Sequence, residues 1–308
     1  MSITRRRFLT LSSAAAAMTA VPFRGFAFAQ APAAPPAATF EAIRRNVGYF
    51  TARGGTIGWL SNPGTLLVVD TQFPDTAKIC LDGLRERAGR APDLVLLTHH
   101  HGDHTGGNSV FKGVVKKIVA HARVPELQKQ AAAQAQPNAA SPVFPDATFE
   151  AVWTEEAGDE RVTARHHGPA HTGGDAVIHF ERAQVVHMGD LLFHQRHPFV
   201  DRGAGASIQN WLTSLEQIAK AMPGDTIYIA GHAKEGLPVT VSGKDVLRQR
   251  DYFDALLSHV RKGLAAGRSR EEITALEALP GFEGYQSAPP RLTLATVLGV
   301  AFDELSAR

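Results

Sequence analysis

His99, His101, Asp103 and His104 stand within the run Thr98-His99-His100-His101-Gly102-Asp103-His104-Thr105-Gly106-Gly107 and spell H-x-H-x-D-H. Four metal-ligating side chains in six residues constrain this chain more than any other feature, because they work together only if a rigid frame turns them onto one point. Imidazole nitrogen and carboxylate oxygen suit Zn²⁺ and similar first-row ions where thiolate is absent. The preceding Asp93-Leu94-Val95-Leu96-Leu97-Thr98 is a continuous apolar run introduced by Pro92, and it reads as a short buried strand. The cluster therefore leaves the carboxyl end of a strand, where α/β sheets place their chemistry. Glycines at 102, 106 and 107 let the backbone turn tightly. The competing reading is a His-rich surface loop or an adventitious metal site.

Further ligand candidates recur in the same setting. Strand-like runs Val162–Arg165, Gln184–Met188 and Thr226–Ala230 lead to His171, Asp190 and His232, each with glycine within two residues, and Thr65–Val69 runs into Asp70. A single His at a strand end is usually a hydrogen-bonded loop residue. Five such places in order along one chain point to a shared site.

These motifs, Asp70, then His99/His101/Asp103/His104, then His171, Asp190 and His232, resemble the five motifs of the metallo-β-lactamase superfamily, in the same order. The resemblance runs from about Thr39 to at least His232. It implies an α/β fold, an αββα sandwich with the metal site at one edge between two sheets. It also implies a binuclear centre. The first ion would be held by His99, His101 and His171, and the second by Asp103, His104 and His232, with Asp190 bridging them. Asp70 would be buried and would steady the His loop rather than bind metal.

Two divalent ions about 3.5–4 Å apart can share a water and lower its pKa towards neutrality, which suits hydrolysis. The expected activity is a metal-dependent hydrolase using a metal-bridging hydroxide on an ester, thioester, lactone or amide-like bond, with Asp103 orienting the nucleophile. No G-x-S-x-G elbow is present, and the one cysteine, Cys80, lies in the helix-like segment Thr76–Ala88. The expected cofactors are two divalent ions, Zn first, with Fe or Mn as alternatives. A β-lactamase in the strict sense is one rival, weakened because Asp190 stands where some subclasses carry Cys. An iron-dependent sulfur dioxygenase of the same fold is another, and a binding protein without turnover a third. The run through Asn108 resembles glyoxalase II-type thioesterases, but their C-terminal basic and Tyr pattern for glutathione finds no match here.

The N-terminus reads as an address. Thr4-Arg5-Arg6-Arg7-Phe8-Leu9 resembles a twin-arginine export signal, Phe8–Phe23 is too short for a membrane span, and Ala27-Phe28-Ala29 offers a cleavage site. The expected organisation is a signal peptide over 1–29, a Pro/Ala linker over 30–38 and one hydrolase domain over 39–308 with a helical segment over 242–308. A periplasmic location follows from that signal. The net charge of +2 includes four arginines and no acids within the first 29 residues, so the remainder carries −2. That balance gives no reason to invoke nucleic acid, no later stretch is long and apolar enough to span a membrane, and the expected partner is a small-molecule substrate.

The segment after Asp190 must leave the metal edge. His194, His197 and Arg202 are therefore candidates to bind a substrate carboxylate or sulfate, with Phe193 and Phe199 as an apolar wall. The loop Arg53-Gly54-Gly55-Thr56 is expected to approach the metals from the other side. Asp75 is a candidate cap for a helix through Arg87, and a second helix should end near Gln136, before Pro137. Ile208, Trp211, Leu212, Leu215, Ile218 and Ala219 recur at helical spacing, which makes Trp211 a core anchor. Ser242 with Asp245 and Ser269 with Glu272 look like capping boxes, and a last helix spans Leu292–Leu305.

Overall fold

The computed structural model describes residues 37–137 and 139–307. The expected signal peptide and the linker up to Pro36 lie outside those residues. Within them, the strands form two large sheets and a two-stranded ribbon in which Phe193–His194 pairs with His232–Ala233. Seven strands pair in the order Thr39–Arg44, Val47–Thr51, Ile57–Ser61, Leu66–Val69, Leu94–Leu96, Lys117–His121 and Ala147–Phe149. The first four are antiparallel and the last four parallel. Six strands form the second sheet, in the order Thr240–Val241, Ile227–Ile229, Val185–His187, Val177–Phe180, Glu160–Arg165 and Val152–Ala157.

Both faces of the central strands are buried, which is why they read as unbroken apolar runs. Leu67, Val69, Leu94 and Leu96 point inward and meet Val162, Ile178, Val185 and Ile229 of the other sheet. Their neighbours Leu66, Val68 and Val95 point outward, onto the helix Pro74–Ala88 through Ala77, Cys80, Leu81 and Leu84. Val177, Val186 and Tyr228 pack on the helices Ile208–Ala221, Gly243–Ala265 and Leu294–Ser306. The layers are αββα. Each fully buried Val or Leu side chain contributes about 1.5–3 kcal/mol to this packing.

Trp211 is fully buried and its Nε1 donates to Leu191 O at 3.0 Å. Both capping boxes form as expected. Three local expectations need correction. Asp75 lies in the first turn of its helix, whose N-cap is Phe73. Pro74 sets that start, since proline suits the first helical position, and Asp75 instead pairs with Arg53 at 2.7 Å. The second helix ends at Ala133, three residues before Gln136. The last helix begins at Leu294, two residues later than expected, because Thr293 caps it, its hydroxyl accepting from Thr296 N–H. Among the described residues, no helix is long and apolar enough to cross a membrane.

Candidate metal centre

All seven motif side chains converge at the edge between the sheets, where several strands end. Short loops carry them there. His99 lies three residues beyond Leu96, His101 caps the short helix Gly102–Thr105 that carries Asp103 and His104, Asp190 follows Val185–His187, and His232 follows Ile227–Ile229. Two donor groups result. His99 Nε2, His101 Nδ1 and His171 Nε2 face one another at 3.1 and 2.9 Å across His101, and Asp190 Oδ2 lies 3.9 and 3.5 Å from His99 and His171. In the second group, His232 Nε2 is 3.1 Å and His104 Nε2 3.9 Å from Asp103 Oδ2. Asp190 closes this group too, with Oδ1 3.0 Å from His104 and Oδ2 3.4 Å from His232.

The residues fit a pair of first-row ions. Donors about 2.0–2.1 Å from a tetrahedral ion stand about 3.4 Å apart, and both groups scatter around that separation. Buried His104 Nε2 and Asp190 Oδ1 lie 3.0 Å apart but are not aligned for a hydrogen bond, and among the described residues neither has another hydrogen-bond partner, a costly arrangement unless something else satisfies them. Oxygen atoms hold the opposite ring nitrogens, leaving the inward nitrogens as lone-pair donors. His99 Nδ1 meets Thr98 Oγ1 at 3.0 Å, His171 Nδ1 donates to Phe199 O at 2.8 Å, and His104 Nδ1 donates to Asp70 at 2.7 Å.

Asp70 is fully buried and takes a positive φ of 64°. Its Oδ1 accepts Thr98 N–H at 2.7 Å, and its Oδ2 accepts both Thr98 Oγ1–H and His104 Nδ1–H at 2.7 Å. It therefore braces one imidazole of each group, His104 directly and His99 through Thr98. Asp201, which the sequence did not single out, plays the same part for His101, whose Nε2 lies 2.9 Å from Asp201 Oδ2. His100 Nε2 lies 3.8 Å from the same Asp201 Oδ2.

Charge points the same way. Burial works against a proton on His104, yet Asp190, Asp103 and Asp70 hold its pKa well above the usual imidazole range. His232 is likewise buried but raised to about 9 by Asp190 and Asp103. The second group thus sits in a field that demands positive charge. In the first group burial dominates, and His171 falls to about 3.

The loop at 53–56 abuts the centre as expected. Gly55 N–H donates to Asp103 O at 3.1 Å, and a Cβ at Gly55 would lie 2.1 Å from His104 Cε1. A cavity of about 530 Å³ opens over the cluster, with His101, Asp103, Asp190 and His232 in its floor and Phe193 and Phe199 in its wall. None of the three proposed substrate contacts lines it. His197 is buried with Nδ1 2.9 Å from the Tyr252 hydroxyl, His194 Nδ1 donates to Pro238 O at 2.7 Å, and Arg202 donates to Ala206 O at 2.6 Å. The charged side chains that do reach the cavity wall are Arg196 and Arg291.

The model of the metallo-beta-lactamase superfamily matches residues 50–232. Hydroxyacylglutathione hydrolases of Brucella ovis and Brucella anthropi are each 28% identical, over 203 and 208 residues, covering 61% and 62% of this chain. The match spans 66% of each relative's own length, just under two thirds. A metallo-beta-lactamase from Pontibacter korlensis superimposes with a TM-score of 0.60 at 15% identity, covering 71% of this chain and 99% of that one. The sec-alkylsulfatase Pisa1 from Pseudomonas sp. superimposes with a TM-score of 0.66 at 19% identity, covering 86% of this chain and 50% of that one. At these identities the two solved structures share the fold.

Proposed function

Because the chain belongs to the metallo-β-lactamase superfamily, we propose that it is a binuclear metal-dependent hydrolase acting on an ester, thioester, lactone or amide-like bond. The observation that carries this reading is the pair of donor groups sharing Asp190 beneath one open cavity. His99, His101 and His171 would hold one ion and Asp103, His104 and His232 the other, with Asp190 common to both. Bound there, the ions would supply a water ionised near neutral pH and positive charge for a developing oxyanion. Zn suits this set of nitrogen and oxygen donors, and Fe and Mn are the alternatives.

The chain's own residues do the rest. Asp103 lines the cavity with only Oδ2 turned to His232 and His104, which leaves Oδ1 to orient an attacking water and accept its proton. Phe193 and Phe199 give the acyl side of a substrate an apolar wall and keep bulk water off it. Thioesters stand first among the candidate bonds, because the curated relatives are named hydroxyacylglutathione hydrolase. Asp190 in place of a Cys ligand weighs against a β-lactamase in the strict sense.

The test is a panel of an acyl thioester, a p-nitrophenyl ester, a lactone and nitrocefin, with metal content measured on the same sample. Chelator-sensitive turnover with kcat/KM of about 10⁴ M⁻¹s⁻¹ or more on one class supports the reading. No hydrolysis across the panel at two ions per chain would overturn it, and iron with oxygen uptake would turn it towards a sulfur dioxygenase. The Arg5-Arg6 motif supports export by the twin-arginine route to the periplasm, with the domain beginning near residue 39. Retention of an Arg5→Lys/Arg6→Lys double variant in the cytoplasm would support that address, and unchanged export would remove it.

A further inference from the structure

Arg196 and Arg291 come to the cavity from distant parts of the chain. Arg196 lies on the segment that leaves Asp190. Arg291 lies in the C-terminal part, beyond the residues matched to the family. The backbone straps the two together. Gln286 N–H donates to Gln195 O at 2.9 Å, and His197 N–H donates to Gln286 O at 3.0 Å. A tight loop then closes between Ala288 and Leu292, which exchange backbone hydrogen bonds of 2.7 and 3.1 Å, and Arg291 sits in that loop. Its guanidinium lies 5.9 Å from the centre of the Phe199 ring, which is itself cavity wall.

Among the described residues neither arginine has a carboxylate within ion-pair distance. Arg44, Arg53, Arg90 and Arg270 each meet an aspartate. Among the described residues Arg196 and Arg291 meet none, and buried Arg196 Nε has no hydrogen-bond partner. A desolvated guanidinium donor without an acceptor is costly. Arg196, with the solvent-exposed Arg291 at the same cavity, stands above a centre that would hold divalent cations and makes a field that attracts anions and repels cations. The walls between them are apolar, with Phe193, Phe199 and Leu292.

We propose that Arg196 and Arg291 form an anion clamp, so that this hydrolase takes substrates with an apolar body and a free oxyanion group away from the bond that is cleaved. The guanidinium forks suit a carboxylate, sulfonate or phosphate in that place. The inference rests on the cavity being the substrate site of the proposed hydrolase, but binding tests it without turnover.

The probe is 4-phenylbutyrate, with 4-phenylbutan-1-ol as its neutral counterpart, titrated calorimetrically into metal-loaded protein. The wild type should bind the acid about tenfold or more tightly than the alcohol. Arg196→Met and Arg291→Met should each weaken binding of the acid about five- to tenfold, and the double variant should remove the preference for charge. Unchanged melting temperatures would show that the variants fold, and Arg196→Lys should recover part of the affinity. Equal binding of acid and alcohol, or acid binding within twofold of wild type in the double variant, would overturn the clamp; the second result would place the carboxylate on the metals alone. A protein that shows the clamp but hydrolyses nothing would leave this inference standing and refute the hydrolase reading.

Discussion

Asp70→Asn separates charge from backbone at the residue that braces both donor groups. Asparagine tolerates the left-handed φ of 64° as aspartate does, so the loop keeps its shape. The carboxylate accepts three donors, one on Oδ1 and two on Oδ2. The amide can satisfy at most two of them, and its best orientation turns Nδ2 towards Thr98 N–H. One buried donor then faces a donor, and the bonds to Thr98 Oγ1 and His104 lose their charge. A hydrogen bond to a charged group contributes about 1.5–3 kcal/mol, so the metal-free variant should lose about 2–4 kcal/mol of stability. Removing such a brace typically costs about 10- to 100-fold in metal affinity. Asp70 touches His104 directly and reaches His99 only through Thr98, so the ion held by Asp103, His104 and His232 should weaken first. Urea unfolding of chelator-treated protein and competitive chelator titration of the loaded protein measure the two effects. Stability within about 0.5 kcal/mol of wild type, with both ions held at wild-type affinity, would refute the bracing role.

Other consequences are as direct. Gly55→Ala places a methyl against the braced His104 ring; overpacking of this kind costs about 1–3 kcal/mol, and melting temperature and metal content should both fall. Asp190→Ala removes the donor common to both groups, so metal analysis should show fewer than two ions per chain and kcat should drop about 100-fold or more. Burial lowers the pKa of His121, His167 and His197 to about 4. A depressed histidine contributes stability that is complete above its unfolded pKa of about 6.5 and is lost as pH falls through 4. The metal-free melting temperature should therefore decline over that window, less steeply in His121→Gln; a flat profile would contradict it. Burial raises the pKa of Cys80 above the usual thiol range, so iodoacetamide should label it only after unfolding, as mass spectrometry would show.

The ligand residues were legible because each follows a short apolar strand in a stretch that also holds glycine, and strand ends of an α/β sheet point to one edge. Asp70, four motifs away from His232, was readable on the same ground. The sandwich itself was legible in unbroken runs such as Leu66–Val69 and Leu94–Leu96, buried on both faces. Loop direction was not. His194, His197 and Arg202 lie on the right segment, but the periodicity of a strand does not extend into a coil, and their side chains turn into protein contacts while Arg196 turns to the cavity. Asp201 and Arg291 were hidden for a different reason. Their roles depend on long-range packing, Asp201 against His101 and the C-terminal loop against the segment at 195–197, which no local pattern encodes. The helix start at Pro74 was readable from proline's preference for a first turn, and Asp75 drew attention away from it.

An anomalous-scattering map of the metal-loaded protein in a crystal, recorded at the absorption edge of the bound metal, tests the central claim most directly. Two peaks are expected, one among His99, His101 and His171 and one among Asp103, His104 and His232, with Asp190 in contact with both. A single peak, or ions bound elsewhere while these seven side chains stay free, would contradict a binuclear centre.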